Sequence, residues 1–226
     1  MTIPFQFIDD ETVNISNLSQ VSNAIQGLSN LDYLMLQADL LYINGSLDPN
    51  AASTLKDLPQ KLVFWTVNEL SIAKDIATMA PGSPIISDYP HQLSELQDEF
   101  PELQLWSHRG RELGDVGKDN EILPIQRSLI ICQGVEFDLM TQAPLISEGP
   151  LMVLAHDHYR EDEGQRIDMR NRAGEFPLLA DFVQAMVDPE YTTQLPGPRT
   201  LNLEVKVYDD QSESDLQPLV DLLDPL

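Results

Sequence analysis

The chain has 226 residues, 42% apolar and 22% charged, a balance expected of one soluble globular domain spanning 1–226, with enough chain to bury a core. Its 37 Asp and Glu against 13 Lys and Arg leave a formal charge of −24, which argues against duplex nucleic acid, whose binding is dominated by phosphate neutralisation. No run reaches the roughly 20 apolar residues of a membrane-spanning helix. The opening MTIPFQFIDDET lacks the basic and apolar parts of a signal peptide, and the lone Cys132 leaves no internal disulfide or cysteine-cluster metal site. A cytoplasmic protein without an integral membrane segment is the expectation.

In chain order, Ile3–Ile8 alternates as a strand does, and Leu18, Val21, Ala24, Ile25 and Leu28 recur at helical spacing. Residues 31–41 fit either a strand or a helix. Asn44–Gly45 and Asp48–Pro49 signal turns, and Ala51–Leu58 reads as a helix. Lys61–Val67 is a buried strand. Asn68 is placed to cap a helix over Glu69–Met79, which Pro81–Gly82 stops. Pro84–Ser87 is a second short strand, His91–Phe100 a polar helix, and Leu103–Trp106 a third strand that runs into Ser107–His108–Arg109–Gly110. After a glycine-containing loop, Asn120–Ile131 carries Ile122, Ile125 and Leu129 on one helical face, with Pro124 tolerable in the first turn.

The next stretch, Gly134–Met140, alternates strictly: Val135, Phe137 and Leu139 on one face, Glu136 and Asp138 on the other. Adjacent carboxylates on an apolar-backed strand repel each other. Such a pair is either a solvated strand edge or half of a site for a hard divalent cation, which prefers oxygen ligands. Leu151–Ala155 is a further buried strand ending in His156–Asp157. Residues 159–174 read as a charged, solvated loop leading to a helix over Leu178–Met186. Leu201–Val207 is another strand, with Glu204 and Lys206 on one face, and Leu216–Leu223 a last helix.

Strands and short helices alternating roughly eight times imply an α/β fold with a parallel sheet, as an open sheet or a closed barrel. Asn68, Asp88, His108 and His156 each follow a different strand, and (β/α)8 barrels build their chemistry at that end, from several strands at once. Singly, each residue has a plain reading: a hydrogen-bonded surface histidine, a core tryptophan at Trp65, a structural ion pair at Glu204 and Lys206. Jointly they suit phosphodiester cleavage. Glu136, Asp138 and Glu204 supply carboxylates for one cation, His108 and His156 an acid and a base, and Arg109 and Lys206 positive charge for a phosphate.

The series His108–Arg109–Gly110, Glu136-x-Asp138, His156–Asp157, Glu204-x-Lys206 resembles the ordered motifs of glycerophosphodiester phosphodiesterases. Trp65–Thr66–Val67–Asn68 and Ile86–Ser87–Asp88–Tyr89–Pro90 resemble the last two strands of that barrel, and Phe176–Pro177–Leu178–Leu179 a helix start ahead of the Glu-x-Lys strand. In the family, however, the His-Arg-Gly strand comes first. Moving residues 1–100 behind Leu226 restores the family order, so the sequence resembles a circular permutant cut near Pro101.

The resemblance implies a TIM barrel with circularly permuted strand order and catalysis by His108 and His156. It further implies phosphate binding by Arg109 and Lys206, a substrate pocket at Trp65, and Mg²⁺ or Ca²⁺ held by Glu136, Asp138 and Glu204. The implied reaction is hydrolysis of a glycerophosphodiester to an alcohol and sn-glycerol 3-phosphate. Two alternatives stand beside it: a related lyase acting on lysophospholipids or sphingolipids to give a cyclic phosphate, and a catalytically silent barrel used for binding. The family's Glu-Asn-Thr after the first strand is represented only by Asp119–Asn120–Glu121, to which no role is carried over.

Overall fold

The structure is a computed structural model and describes residues 33–58, 61–110, 122–141, 152–154, 159–162, 165–168 and 200–206. Strand β1 (Tyr33–Gln37) leads through a 3-10 turn (Ala38–Leu41) into a hairpin of β2 (Tyr42–Ile43) and β3 (Ser46–Leu47). Asn44 and Gly45 at its tip have φ of 53° and 76°, both positive as a type I′ turn requires. There follow α1 (Ala51–Lys56), β4 (Lys61–Trp65), α2 (Leu70–Met79), β5 (Pro84–Ser87), the short α3 (Pro90–Leu93) and α4 (Leu96–Glu99), β6 (Gln104–His108), α5 (Ile122–Ser128) and β7 (Gly134–Thr141). The remaining described strands are β8 (Met152–Leu154), β9 (Tyr159–Asp162), β10 (Gln165–Asp168) and β11 (Thr200–Lys206).

The main sheet has the order β1-β4-β5-β6-β7-β11, with every neighbouring pair parallel. Apolar residues on both faces of each short strand explain this arrangement, since a parallel sheet is covered on both sides. Toward the helices, Leu62, Phe64, Ile85 and Leu105 pack with Ala73, Ile76, Leu93 and Leu96 in the larger core. A fully buried side chain such as Phe64 or Ile85 contributes about 1.5–3 kcal/mol. The opposite face carries a second cluster of Val63, Ile86 and Trp106, with Met35 and Trp65 against it.

That second face curls. Asn202 of β11 donates from Nδ2 to Sδ of Met35 in β1 at 3.4 Å, so the two ends of the strand order meet through side chains. No backbone pairing among the described residues joins β11 to β1.

The elements differ from the sequence reading in four places. Helix α2 is preceded by Glu69 and has no side-chain cap, because the Asn68 amide is engaged with Ser87 and Asp88 instead. Residues 91–100 form two short helices broken at Ser94–Glu95. The stretch read as a charged loop contains the antiparallel hairpin β9–β10, in which Glu161 is registered with Arg166. Finally, β8 is not a parallel strand between β7 and β11: it runs antiparallel to the end of β7, pairing Leu139 with Leu154 and Thr141 with Met152. β7 pairs with β6 only from Gly134 to Glu136, so its longer end has backbone groups left to satisfy on that edge, and β8 satisfies them. The terminal segments, including the expected strand Ile3–Ile8 and the expected helix Leu216–Leu223, lie outside the described residues.

Candidate active site

Parallel strands deliver their last residues to one end of the sheet. At that end β6 finishes in His108, β5 runs into Asp88, and β4 runs through a cis Trp65–Thr66 peptide toward Asn68. Register places His108 beside Glu136 of β7, and Glu136 beside Asn202 of β11.

The His108 imidazole lies between two carboxylates. Nδ1 is 2.6 Å from Oδ1 of Asp88, and Nε2 is 3.6 Å from Oε2 of Glu136. The first is a short hydrogen bond to a carboxylate; the second is too long for one and would attract only a protonated ring. The side chains of His108, Asp88 and Glu136 are 12%, 15% and 5% exposed, so little water screens them. With Nδ1–H donated to Asp88, a neutral ring keeps its lone pair on Nε2. That is the arrangement of a general base whose ring is held by a carboxylate behind it.

Asp88 is itself held. Its Oδ2 accepts from Nδ2 of Asn68 at 2.8 Å, and its backbone N–H donates to Oδ1 of Asn68 at 3.0 Å. The Ser87 hydroxyl donates to the same Oδ1 at 3.2 Å and accepts from the Tyr89 N–H at 3.0 Å. The chain Asn68–Asp88–His108 therefore crosses three adjacent strands and fixes the ring plane.

His-Arg-Gly forms a turn. Arg109 has φ of 54° and Gly110 of 70°, and the Arg109 N–H donates to Oε2 of Glu136 at 3.2 Å. A Cβ on Gly110 would overlap the side chain of Ile125 in α5, so glycine is required there by conformation and by space.

No protein-family model, curated protein or solved structure matches this chain.

Of the residues singled out in the sequence, the structure brings His108, Glu136 and the backbone of Arg109 together. Trp65 is half-buried on the same sheet face, against the Val63–Ile86–Trp106 cluster. Asp138, Glu204 and Lys206 are described in their backbones only: Asp138 is registered with Glu204, and Lys206 with Met140. His156 lies outside the described residues. Among those residues, no three His, Cys, Asp or Glu are grouped as a metal centre. Glu136 is buried and Asp138 is registered with Glu204; carboxylate oxygens are the ligand type that hard cations such as Mg²⁺ or Ca²⁺ prefer.

Three polar residues gained a place in the site that the sequence had not assigned them. The sequence reading makes Asn68 a helix cap and puts Asn68 and Asp88 after strands, in segments that resemble the family's last two, without a role at the site, and it gives Asn202 none. Asn202 is 3% exposed and sits two residues before Glu204, so alternation along β11 was the available signal.

Proposed function

We propose that this protein is a metal-dependent phosphodiesterase that hydrolyses glycerophosphodiesters to an alcohol and sn-glycerol 3-phosphate. The observation that carries the proposal is the Asp88–His108–Glu136 line, in which Asp88 follows β5, His108 ends β6 and Glu136 lies beside it on β7, on segments that resemble the family's motifs in permuted order. A water oxygen attacks phosphorus, the P–O bond to the leaving alcohol breaks, and two protons move: one from water to a base, one from an acid to the alkoxide.

In this reading His108 and His156 divide those transfers, Arg109 and Lys206 bind the phosphate, and Trp65 lines the substrate pocket. Glu136, Asp138 and Glu204 hold the cation, which when bound would offset charge on the phosphoryl oxygens.

The same proposal takes the sheet as part of a closed (β/α)8 barrel in permuted order. In the family, the strands resembling β5 and β6 are last and first and meet only where the barrel closes. Here they are consecutive and paired from Pro84–Gln104 to Ser87–Ser107, which supports the permutation. The contact between Asn202 and Met35 supports closure.

Incubation with glycerophosphocholine and glycerophosphoethanolamine, with Mg²⁺, Ca²⁺ or chelator and read by phosphorus NMR, tests the proposal. Glycerol 3-phosphate should accumulate with metal and be lost with chelator and in His108→Ala. A cyclic phosphate product would transfer the assignment to the lyase. Absence of cleavage of any glycerophosphodiester or lysophospholipid under every metal condition would leave a catalytically silent barrel.

A further inference from the structure

Building on the phosphodiesterase reading, we propose that Gln37, beside Trp65, selects the leaving alcohol, and that this alcohol is a polyol. Alternation along β1 sets the face. Leu34 and Leu36 pack with the larger core, whereas Met35 packs against the Val63–Ile86–Trp106 cluster on the opposite face. Gln37, two residues beyond Met35, continues that second face with an extended backbone (φ −65°, ψ 132°). Its register partner is Trp65, which packs on the same face. Both residues end their strands, at the end of the sheet where β6 delivers His108.

One register line crosses this face. Phe64 opposite Ile85 sets Trp65 beside Ile86, and Ile86 is paired with Trp106. Trp106 and Ile86 are buried, Trp65 is half-buried and Gln37 is exposed, so the face opens toward β1. Trp65 stands two strands from His108, roughly 10 Å across the sheet, and Gln37 one strand further. With the phosphorus beside His108, one ester arm extends over Trp65 to Gln37. The Gln37 side chain does not cap the 3-10 turn that follows it, which leaves an amide able both to donate and to accept. Adjacent hydroxyls use both capacities, whereas the trimethylammonium of a choline ester offers neither a donor nor an acceptor. The indole beside the amide presents an apolar surface for the C–H groups of a polyol.

Competition between glycerophosphoinositol and glycerophosphocholine, with Mg²⁺ or Ca²⁺ and read by phosphorus NMR, gives the ratio of their kcat/KM values directly. Wild type should favour the inositol ester about three- to tenfold, the scale of one hydrogen bond. Gln37→Leu should bring the ratio close to one, with the loss falling on the inositol ester. Gln37→Glu, whose carboxylate cannot donate and attracts a cation, should move the ratio toward the choline ester. Both variants should melt near the wild-type temperature, as expected at an exposed position. An equal or reversed preference in wild type, or a ratio unchanged in Gln37→Leu, would overturn the subsite and leave the phosphodiesterase standing. Absence of cleavage of either ester would overturn both.

Discussion

Replacing Gly110 by alanine tests the turn that presents His108. Gly110 has φ of +70°, and an added Cβ would overlap the Ile125 side chain, which has no exposure. A left-handed conformation costs an L-residue about 1–2 kcal/mol, and forcing a methyl into filled space about 1–3 kcal/mol. The total of about 2–5 kcal/mol is a large share of the roughly 5–15 kcal/mol that stabilises a domain. It corresponds to a fall in Tm of about 4–20 °C for a chain of this size. Gly82 is the internal control: its φ is +79° with nothing within 4 Å of a built Cβ, so Gly82→Ala carries only the backbone cost. Urea unfolding of both variants reads the difference, provided the m-value is unchanged. Ile125→Ala in the Gly110→Ala background should then cost less than Ile125→Ala alone, because the smaller side chain relieves the overlap. Equal losses for the two glycine variants, within about 0.5 kcal/mol, would refute the packing of α5 on the His-Arg-Gly turn, and with it the placement of His108.

Asp88→Asn should lower glycerophosphocholine turnover by about 10²–10⁴-fold, because an amide cannot stabilise the imidazolium and can reverse the ring's tautomer; unchanged turnover would remove Asp88 from the site. Added Ca²⁺ or Mg²⁺ at about 100 times its Kd should raise wild-type Tm by about 5–11 °C and chelator should reverse it, whereas Glu136→Gln should respond little; equal responses would exclude Glu136 as a ligand. Burial, then the hydrogen bond to Asp75 and the charges of Asp75 and Glu69, push the Tyr42 phenol well above its ordinary value. Its contribution is thus fully present below about pH 10, where both states are protonated, and declines as pH rises further, because the unfolded chain ionises first. Tyr42→Phe should show a shallower alkaline loss of stability, and parallel curves for the two proteins would refute that coupling.

Local pattern determined the strands. Apolar runs at 61–65, 84–87 and 104–108, strict alternation from Gly134, and alternation again through residues 200–206 each formed strands close to where periodicity placed them. Alternation alone put Glu136 and Asp138 on one face and Val135 and Phe137 on the other, and the last two are fully buried. The Asn44–Gly45 turn was equally legible, because its requirement for positive φ is met by those two residues and needs no distant partner.

What each polar side chain touches was a matter for the tertiary structure. Asn68 reads as a helix cap because the residues that follow it are helical; it bridges to Asp88 instead, because parallel pairing sets β4 beside β5. Asp88 meets His108 across 20 residues of sequence, Glu136 meets it across 28, and Asn202 reaches Met35 from the far end of the strand order. The direction of β8 was likewise undetermined, since a short apolar strand pairs in either sense and the free edge of β7 decided between them. Periodicity says which face a residue occupies, but a one-residue change of register would exchange every cross-strand neighbour. That register is set by how the whole sheet packs, so the chemistry-bearing residue types were visible in the chain while the contacts that orient them arose only when the strands were laid side by side.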